Sequence, residues 1–427
     1  MIEFVTLFLG GLVTGPRTVE FVAGDPVAIV EVRLDGRLAG RLEAPAWKIR
    51  LDFGQDLSPH LLEGVGLDLS AREVARVRQW INLSPKQAQS TVLIEGADSG
   101  RDAVARVNWE SLAETNEPES VRVTFDGQLL AVDDPRTIPL PEFDPRSTHY
   151  LRVKLEFAER LSSEAEVVFG GTYGSEVSTE ITAVPVSLTT GKWPRSTESM
   201  NGWFTVEDTP QKIHAIEKGL GEIVAVVDVA ASAHLARLQK RVARLDTDIG
   251  VRRDLRVSFI NPCPETQRRE DHRQIVFTRS RRFSSRDGRL LDLLSQSARF
   301  ECTEVEQQLA EAVGIAGLTA SEDGRRRVVL LVLGEAPRDR SKLTPDQVIA
   351  YLRRLRVPLV VWSVGVGGTP PVQWGPTTGV QKLRLLNRAY KSVERILERQ
   401  HVVWLEGSHL PQSVELRPGI DDIVLVE

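Results

Sequence analysis

At Gly221 the hydrophobic pattern of this chain changes period, and that change constrains its fold more than any other feature. "GEIVAVVDVAAS" (residues 221–232) opens on an unbroken apolar run, as expected of a strand buried on both faces of a parallel sheet. "HLARLQKRVARL" follows with Leu235, Leu238, Val242 and Leu245 at helical spacing. The same kind of strand returns in "LRVSFI", "RRVVLLVLG" and "VPLVVWSVG", with "RQIVFT" expected as the antiparallel neighbour of "LRVSFI". Between them, "TEVEQQLAEAVGIAGL" carries Val305, Leu309 and Val313 on one helical stripe. Thr344, Pro345 and Gln347 have the spacing of a capping box that starts a further helix, with Val348, Leu352 and Leu355 as its stripe. "VQKLRLLNRAYKSVERILERQ" reads as a long helix leading into a last strand, "HVVWL". Strand–helix alternation at this spacing specifies an α/β doubly wound domain over residues 219–427.

Upstream the period is two. "AIVEVRLDGRLAGRLE" places Ile29, Glu31 and Arg33 on one face and Val30, Val32 and Leu34 on the other. Asp35-Gly36 sits where a tight hairpin needs positive φ. Asp126-Gly127 recurs in "VRVTFDGQLLAV", 91 residues later. That repeat suits two successive β-sandwich domains, residues 1–88 and 89–186, making the chain a multi-domain protein. "SPHLLEGVGLD" and "RSTHYLRVKLEF" then supply a matching later strand in each. Residues 187–218, rich in Ser, Thr and Gly, read as a linker or an extended crossing strand, and are set down as a linker.

The order of elements and the opening motif identify the C-terminal region as similar to a von Willebrand factor type A domain. The two β modules resemble bacterial immunoglobulin-like modules. In the von Willebrand type A family, Asp-x-Ser-x-Ser at the end of the first strand, a Thr from a later loop and Thr-Asp-Gly at the end of the fourth strand hold Mg²⁺. The ion demands such hard oxygen ligands. Here Asp228 and Ser232 match, Thr303 matches the loop Thr, and Gly334 matches the final Gly. Ala230 replaces a Ser and Leu333 the second Asp, while Glu335 lies two residues past the strand. Two alkyl groups in place of oxygen donors imply a degenerate, metal-free site. A rearranged Mg²⁺ site using Asp228, Ser232, Thr303 and Glu335 is the alternative. Asp228 then needs other partners, and backbone N–H groups opening the following helix are the expected ones.

A net charge of −5, from 54 bases and 59 acids, gives no bulk attraction to nucleic acid or anionic lipid. Residues 267–289 are the most basic stretch, with eight arginines, and read as a solvated hairpin; a nucleic-acid contact there is the minor alternative. Cys263 and Cys302 are the only cysteines, either inert thiols or a single bridge. None of the seven histidines has metal-ligand spacing. "GVGG" at residues 365–368 is a weak phosphate-loop signal, because prolines and not a helix follow it. The apolar start "MIEFVTLFLGGLVTG" is either an atypical export signal or a buried strand, and export is the reading adopted. No segment reads as transmembrane.

The expectation is therefore a non-enzymatic protein-binding or scaffolding protein, extracytoplasmic or envelope-associated, without cofactor or nucleic-acid partner. A cytoplasmic location is left open.

Overall fold

The computed structural model describes the chain apart from residues 1, 7, 9–11, 25–26, 45, 84–87, 96–99, 112–116, 148, 158–161, 170–180, 190–192, 194–196, 243–250, 270–271, 298–301, 304–305, 323 and 365–371. Residues group into two compact units: Met1–Ser84 with Thr182–Leu405 and His409–Glu427, and Pro85–Ile181 with Glu406–Ser408.

The repeat read from the sequence is built twice with the same wiring. In the first module a four-stranded antiparallel sheet, ordered Arg37–Glu43, Ile29–Leu34, His60–Leu67, Glu73–Ile81, faces a three-stranded one of Ile2–Phe4, Pro16–Ala23 and Lys48–Asp52. In the second, Gln128–Leu130, Ser120–Phe125, His149–Glu156 and Ser162–Phe169 face Thr137–Pro139, Val104–Ser111 and Ala88–Glu95. Asp35 and Asp126 both take positive φ, 52° and 48°, so each hairpin closes as its Asp-Gly pair requires. Each Asp then ties down the partner strand. Asp35 accepts from the Leu61 N–H (2.8 Å) and meets His60 Nδ1 (2.7 Å), while Asp126 accepts from the Tyr150 N–H (2.8 Å) and meets His149 Nδ1 (2.7 Å).

Ile2–Phe4 pairs with Pro16–Ala23, and Ile2 and Val13 are buried in the first module's core. Among the described residues, the apolar start thus supplies Ile2–Phe4 as an edge strand of this module.

The α/β domain has a five-stranded parallel sheet ordered Leu255–Ile260, Gly221–Val227, Arg326–Leu333, Leu359–Ser363, Thr377–Gly379. Helices α1 (Ser232–Val242), α2 (Leu290–Ser297) and α5 (Leu383–Arg399) share one core with its first face. Helices α3 (Leu309–Ser321) and α4 (Pro345–Arg354) share the other. The Thr344–Gln347 capping box forms as its spacing requires.

Two buried arginines tie this sandwich together at the start of strand Arg326–Leu333. Arg326 donates to Leu397 O at the end of α5 (2.8 Å), to Gly219 O (2.8 Å) and to Asp254 (3.0 Å). Arg327 points to the opposite face, as strand alternation dictates. It donates to Ser321 O at the end of α3 and to Leu355 O and Arg356 O after α4. A fixed cation there satisfies carbonyls left over by two helices and complements both dipoles. Burial lowers its pKa to about 10, still leaving it charged at neutral pH.

Several boundaries differ from those read in the sequence. Residues 187–218 are no linker. They supply strands Phe204–Val206, Thr209–Pro210 and Ile213–Glu217 to a third β module that also takes Ile181–Leu188, Gln400–Glu406, Val414–Leu416 and Ile423–Leu425. "HVVWL" therefore leaves the parallel sheet and pairs antiparallel with Ile213–Glu217, so the α/β fold ends near Arg399 instead of running to residue 427. Met200, Phe204 and Ile213, buried apolar residues of that Ser/Thr-rich stretch, fill the third module's core with Val403, Leu405 and Val414. His272–Val276 pairs with Glu265–Arg269 in its own hairpin. The antiparallel neighbour of Leu255–Ile260 is the chain after it, through bridges at Arg279 and Phe283. Val305 and the Gly365–Gly368 loop lie outside the described residues.

Within the first unit, the N-terminal module is seated on α3 and α4. Leu57, fully buried, belongs to the core of that sheet face, with Leu12 and Leu83 packed against it. Tyr351 donates its hydroxyl to Asn82 O (2.7 Å), and Arg354 donates to Leu57 O (2.7 Å).

Candidate functional site

Strand order 2-1-3-4-5 places a topological switch point between the first and third strands of the parallel sheet. Doubly wound folds bind ligands in the crevice at the carboxyl ends of such a pair. The pair here is Gly221–Val227 and Arg326–Leu333, and the residues that follow them are Asp228 and Gly334.

Asp228 is fully buried and its carboxylate is held by neutral N–H donors. One oxygen accepts from the Ala230 N–H (3.0 Å) and the Gln307 side-chain amide (2.8 Å), the other from the Gly334 N–H (2.8 Å). The Gly334 bond spans the crevice directly. A Cβ on Gly334 would lie 2.5 Å from the Ala230 methyl and 2.7 Å from its carbonyl carbon, so only glycine lets the two loops close this far. Ala230, small and without a hydroxyl, completes that contact.

Gln307 plugs what remains. It is fully buried, and its amide also accepts from the Val229 N–H (3.1 Å) and donates to Arg338 O (2.7 Å). One neutral amide thereby reaches the three loops after the first strand, before α3 and after the third strand. Sequence reasoning passed over this residue. In "VEQQL" it reads as the polar face of a helix expected to run from Thr303, whereas α3 starts at Leu309. Asp339 supplies the missing cap from a distance, accepting from the Leu309 and Ala310 N–H groups (2.9 and 3.2 Å).

The other candidate ligands are turned elsewhere. Ser232 donates its hydroxyl to Val229 O (2.7 Å). Thr303 is exposed and gives both its N–H (2.9 Å) and its hydroxyl (2.8 Å) to Glu306, bonds that lower the Glu306 pKa. Glu335 is exposed. Leu333, at the position of the second Asp, is buried in the α3–α4 core. The structure thus joins Asp228 to Gln307 and Gly334, while the Ser232 and Thr303 hydroxyls are given to Val229 O and Glu306. Among the described residues, no group of three or more His, Cys, Asp or Glu side chains could hold a metal ion.

Cys263, just past strand Leu255–Ile260, is bonded to Cys302, with their Cα atoms 6.0 Å apart. Beside the bridge, the Gln308 N–H donates to Pro262 O (2.8 Å). The bridge anchors the loop that leads into Gln307.

The basic stretch is partly neutralised by the domain itself. Glu222, 2 % exposed, accepts from Ser258 (3.1 Å), Arg279 (3.2 Å) and Arg282 (3.0 Å). Arg279 also reaches Glu322 (2.6 Å), and Arg281 pairs with Asp287 (2.8 Å) while lying over the Phe283 ring. Those arginines pin the segment to the sheet edge.

No family model matches the chain, and no curated protein does. Among solved structures it is similar to the central fibronectin-III array of RIM-binding protein, at 10% identity over 45% of this chain and 80% of that one, TM-score 0.25. It is also similar to the fibronectin(III)-like modules of Clostridium thermocellum CbhA, at 10% identity over 40% of this chain and 93% of that one, TM-score 0.16. A third similarity is to the β-glucuronidase of Parabacteroides merdae, at 14% identity over 40% of this chain and 24% of that one, TM-score 0.18. Likenesses this slight carry no argument about function. The β-sandwich description of the first two modules stands on their own strand pairing, and the third β module on its own. No described helix is long and apolar enough to cross a membrane.

Proposed function

We propose that this chain is a non-enzymatic binding or scaffolding protein whose α/β domain is a von Willebrand type A-like domain with a sealed, metal-independent adhesion site. The observation that carries the reading is the Asp228 carboxylate, buried at the switch point and held by the Ala230 and Gly334 N–H groups and the Gln307 amide. A cation would have to break those bonds and reopen loops that touch at Gly334. The first β module, seated on α3 and α4, acts as a mount for the α/β domain, which suits presentation of a surface more than turnover of a substrate. The chain's partner is an extracytoplasmic protein that meets the strand-end face around Thr303 and Glu335, both exposed.

Thermal unfolding of the full chain in excess Mg²⁺ and in excess EDTA tests the metal half of this reading. A sealed site gives the same midpoint in both. A metal-dependent adhesion domain is stabilised by the ion it binds, by about 2.7 kcal/mol at a hundredfold excess over its Kd. For the binding half, a photo-crosslinking residue placed at Glu335 in the native host should give discrete protein adducts. The same residue yielding none, while one at an exposed position of the β modules does, moves the contact off this face.

A further inference from the structure

The net charge of −5 conceals two opposite poles. Residues 221–399, the α/β domain, hold 31 Lys and Arg against 21 Asp and Glu, whereas residues 85–181, the second β module, hold nine against 18. The positive pole has a defined outlet. On α5, Arg384, Arg388, Lys391, Arg395 and Arg399 are all exposed and recur at intervals of three or four residues. That spacing aligns them on one helix face as a ridge about 22 Å long. The opposite face, with Leu386, Ala389, Tyr390, Val393 and Leu397, is buried in the sheet core, so the ridge is held rigid. Among the described residues, none of its five cations forms an ion pair. The two acids of α5 offset it only in part: Glu398 is bonded by Arg252, and Glu394, half-buried beside Tyr390, faces only Lys391 among the ridge cations. Self-repulsion along such a ridge costs stability within the monomer. Four of the five cations are arginines, whose planar forks suit carboxylates.

We propose that the α5 ridge is the docking surface for a second copy of this chain, engaging the acidic module of residues 85–181 in a head-to-tail contact. The occupant is argued from charge complementarity: the chain itself carries the compensating excess of carboxylates on a separately folded unit. A contact between two different patches is heterologous and extends into rings or filaments unless its rotation closes. An array of this kind suits a scaffold, and it stands whether or not Asp228 ever meets a cation.

Sedimentation velocity of the full chain at low and high salt tests it, with the neutralised variant Arg388→Gln/Lys391→Gln/Arg395→Gln beside the reversed one, Arg388→Glu/Lys391→Glu/Arg395→Glu. All three substituted positions are solvated, and unchanged far-UV circular dichroism of the neutralised variant confirms that it folds. Concentration-dependent association is expected at low salt, weakening at least about tenfold at high salt and in the neutralised variant. Carbodiimide coupling of mixed ¹⁴N- and ¹⁵N-labelled chains should join Lys391 or Lys382 of one copy to carboxylates within residues 85–181 of another. A chain that stays monomeric at low salt overturns the proposal, as does association that ignores the substitutions. Adducts confined to one chain or to other modules also overturn it. So does ridge-dependent binding of duplex DNA or phosphatidylglycerol vesicles without self-association, because the occupant would then be an external polyanion.

Discussion

The side-chain amide of Gln307 meets the carboxylate of Asp228 at 2.8 Å, with both residues fully buried at the switch point of the parallel sheet. A neutral amide thereby closes the crevice at the strand ends, where doubly wound folds bind their ligands. The difference matters energetically, because a buried carboxylate without donors shifts its pKa or destabilises the fold.

Gln307→Ala should therefore cost about 2–3 kcal/mol, since it removes a donor from a buried charge and leaves the Val229 N–H and Arg338 carbonyl unpaired as well. Urea unfolding of the full chain reads the loss as a lower midpoint. Asp228→Asn, which keeps the shape but must point an NH₂ toward one of three N–H donors, should be destabilising too. A neutral outcome for both would show that the pocket contributes nothing.

Arg327→Met should be among the most damaging single changes, at about 3 kcal/mol or more. It strands three carbonyls in a dry environment at the ends of α3 and α4. Arg327→Lys should recover only part of the loss, because one ammonium cannot fork to three acceptors on separate segments. Hydrogen exchange of α3 and α4 would show where the opening occurs.

His149 gives the second module a pH dependence. Its Nδ1 meets Asp126 at 2.7 Å and its Nε2 meets Asp144 O at 2.8 Å, so both ring nitrogens face acceptors and favour the imidazolium. Desolvation pulls its pKa down, but the hydrogen bonds and charges of Asp126 and Asp144 outweigh it and leave the pKa raised. A raised folded-state pKa means stabilisation fully present below the unfolded value of about 6.5 and lost as pH rises through the folded one. Exchange protection of strand His149–Glu156 should fall as pH rises from about 6 to 8, after correction for intrinsic rates. In His149→Gln that pH dependence should vanish.

Leu57→Ala should cost about 2–4 kcal/mol by opening a cavity between the first module and α4. Tyr351→Phe should cost about 1 kcal/mol by removing the hydroxyl bond to Asn82 O. If the first module only dangled from the α/β domain, Leu57→Ala would leave the unfolding of the latter unchanged.

Reduction of Cys263–Cys302 should lower stability by up to about 4 kcal/mol on the chain-entropy account, given a separation of 39 residues. Calorimetry with and without a phosphine reductant measures the change. The same scan on Cys302→Ser separates the bridge from effects of the reductant elsewhere.

Legibility in the sequence tracked locality. The paired Asp-Gly hairpins, the continuous apolar strands and the Thr344–Gln347 cap are signals contained within a few residues, and the structure builds each of them. The third β module was hidden because Ile181–Leu188 and Ile213–Glu217 find partners some 200 residues later, among Gln400–Glu406 and Ile423–Leu425. No local period can announce such a pairing, and Ser/Thr richness there mimics a linker. At the site, the replacements at Ala230 and Leu333 were legible, as was the need of Asp228 for N–H donors. Gln307 was not, since its role depends on a helix starting at Leu309 and not at Thr303. Nor was the basic ridge of α5, because charge polarity appears only once the domain limits are known.

Calorimetric titration of the full chain with Mg²⁺ and Mn²⁺ asks whether the Asp228 pocket takes up a divalent ion. A sealed pocket gives no saturable heat tighter than about millimolar for either ion, and the same blank trace in Asp228→Ala. Saturable binding in the wild-type chain that disappears in Asp228→Ala would contradict it.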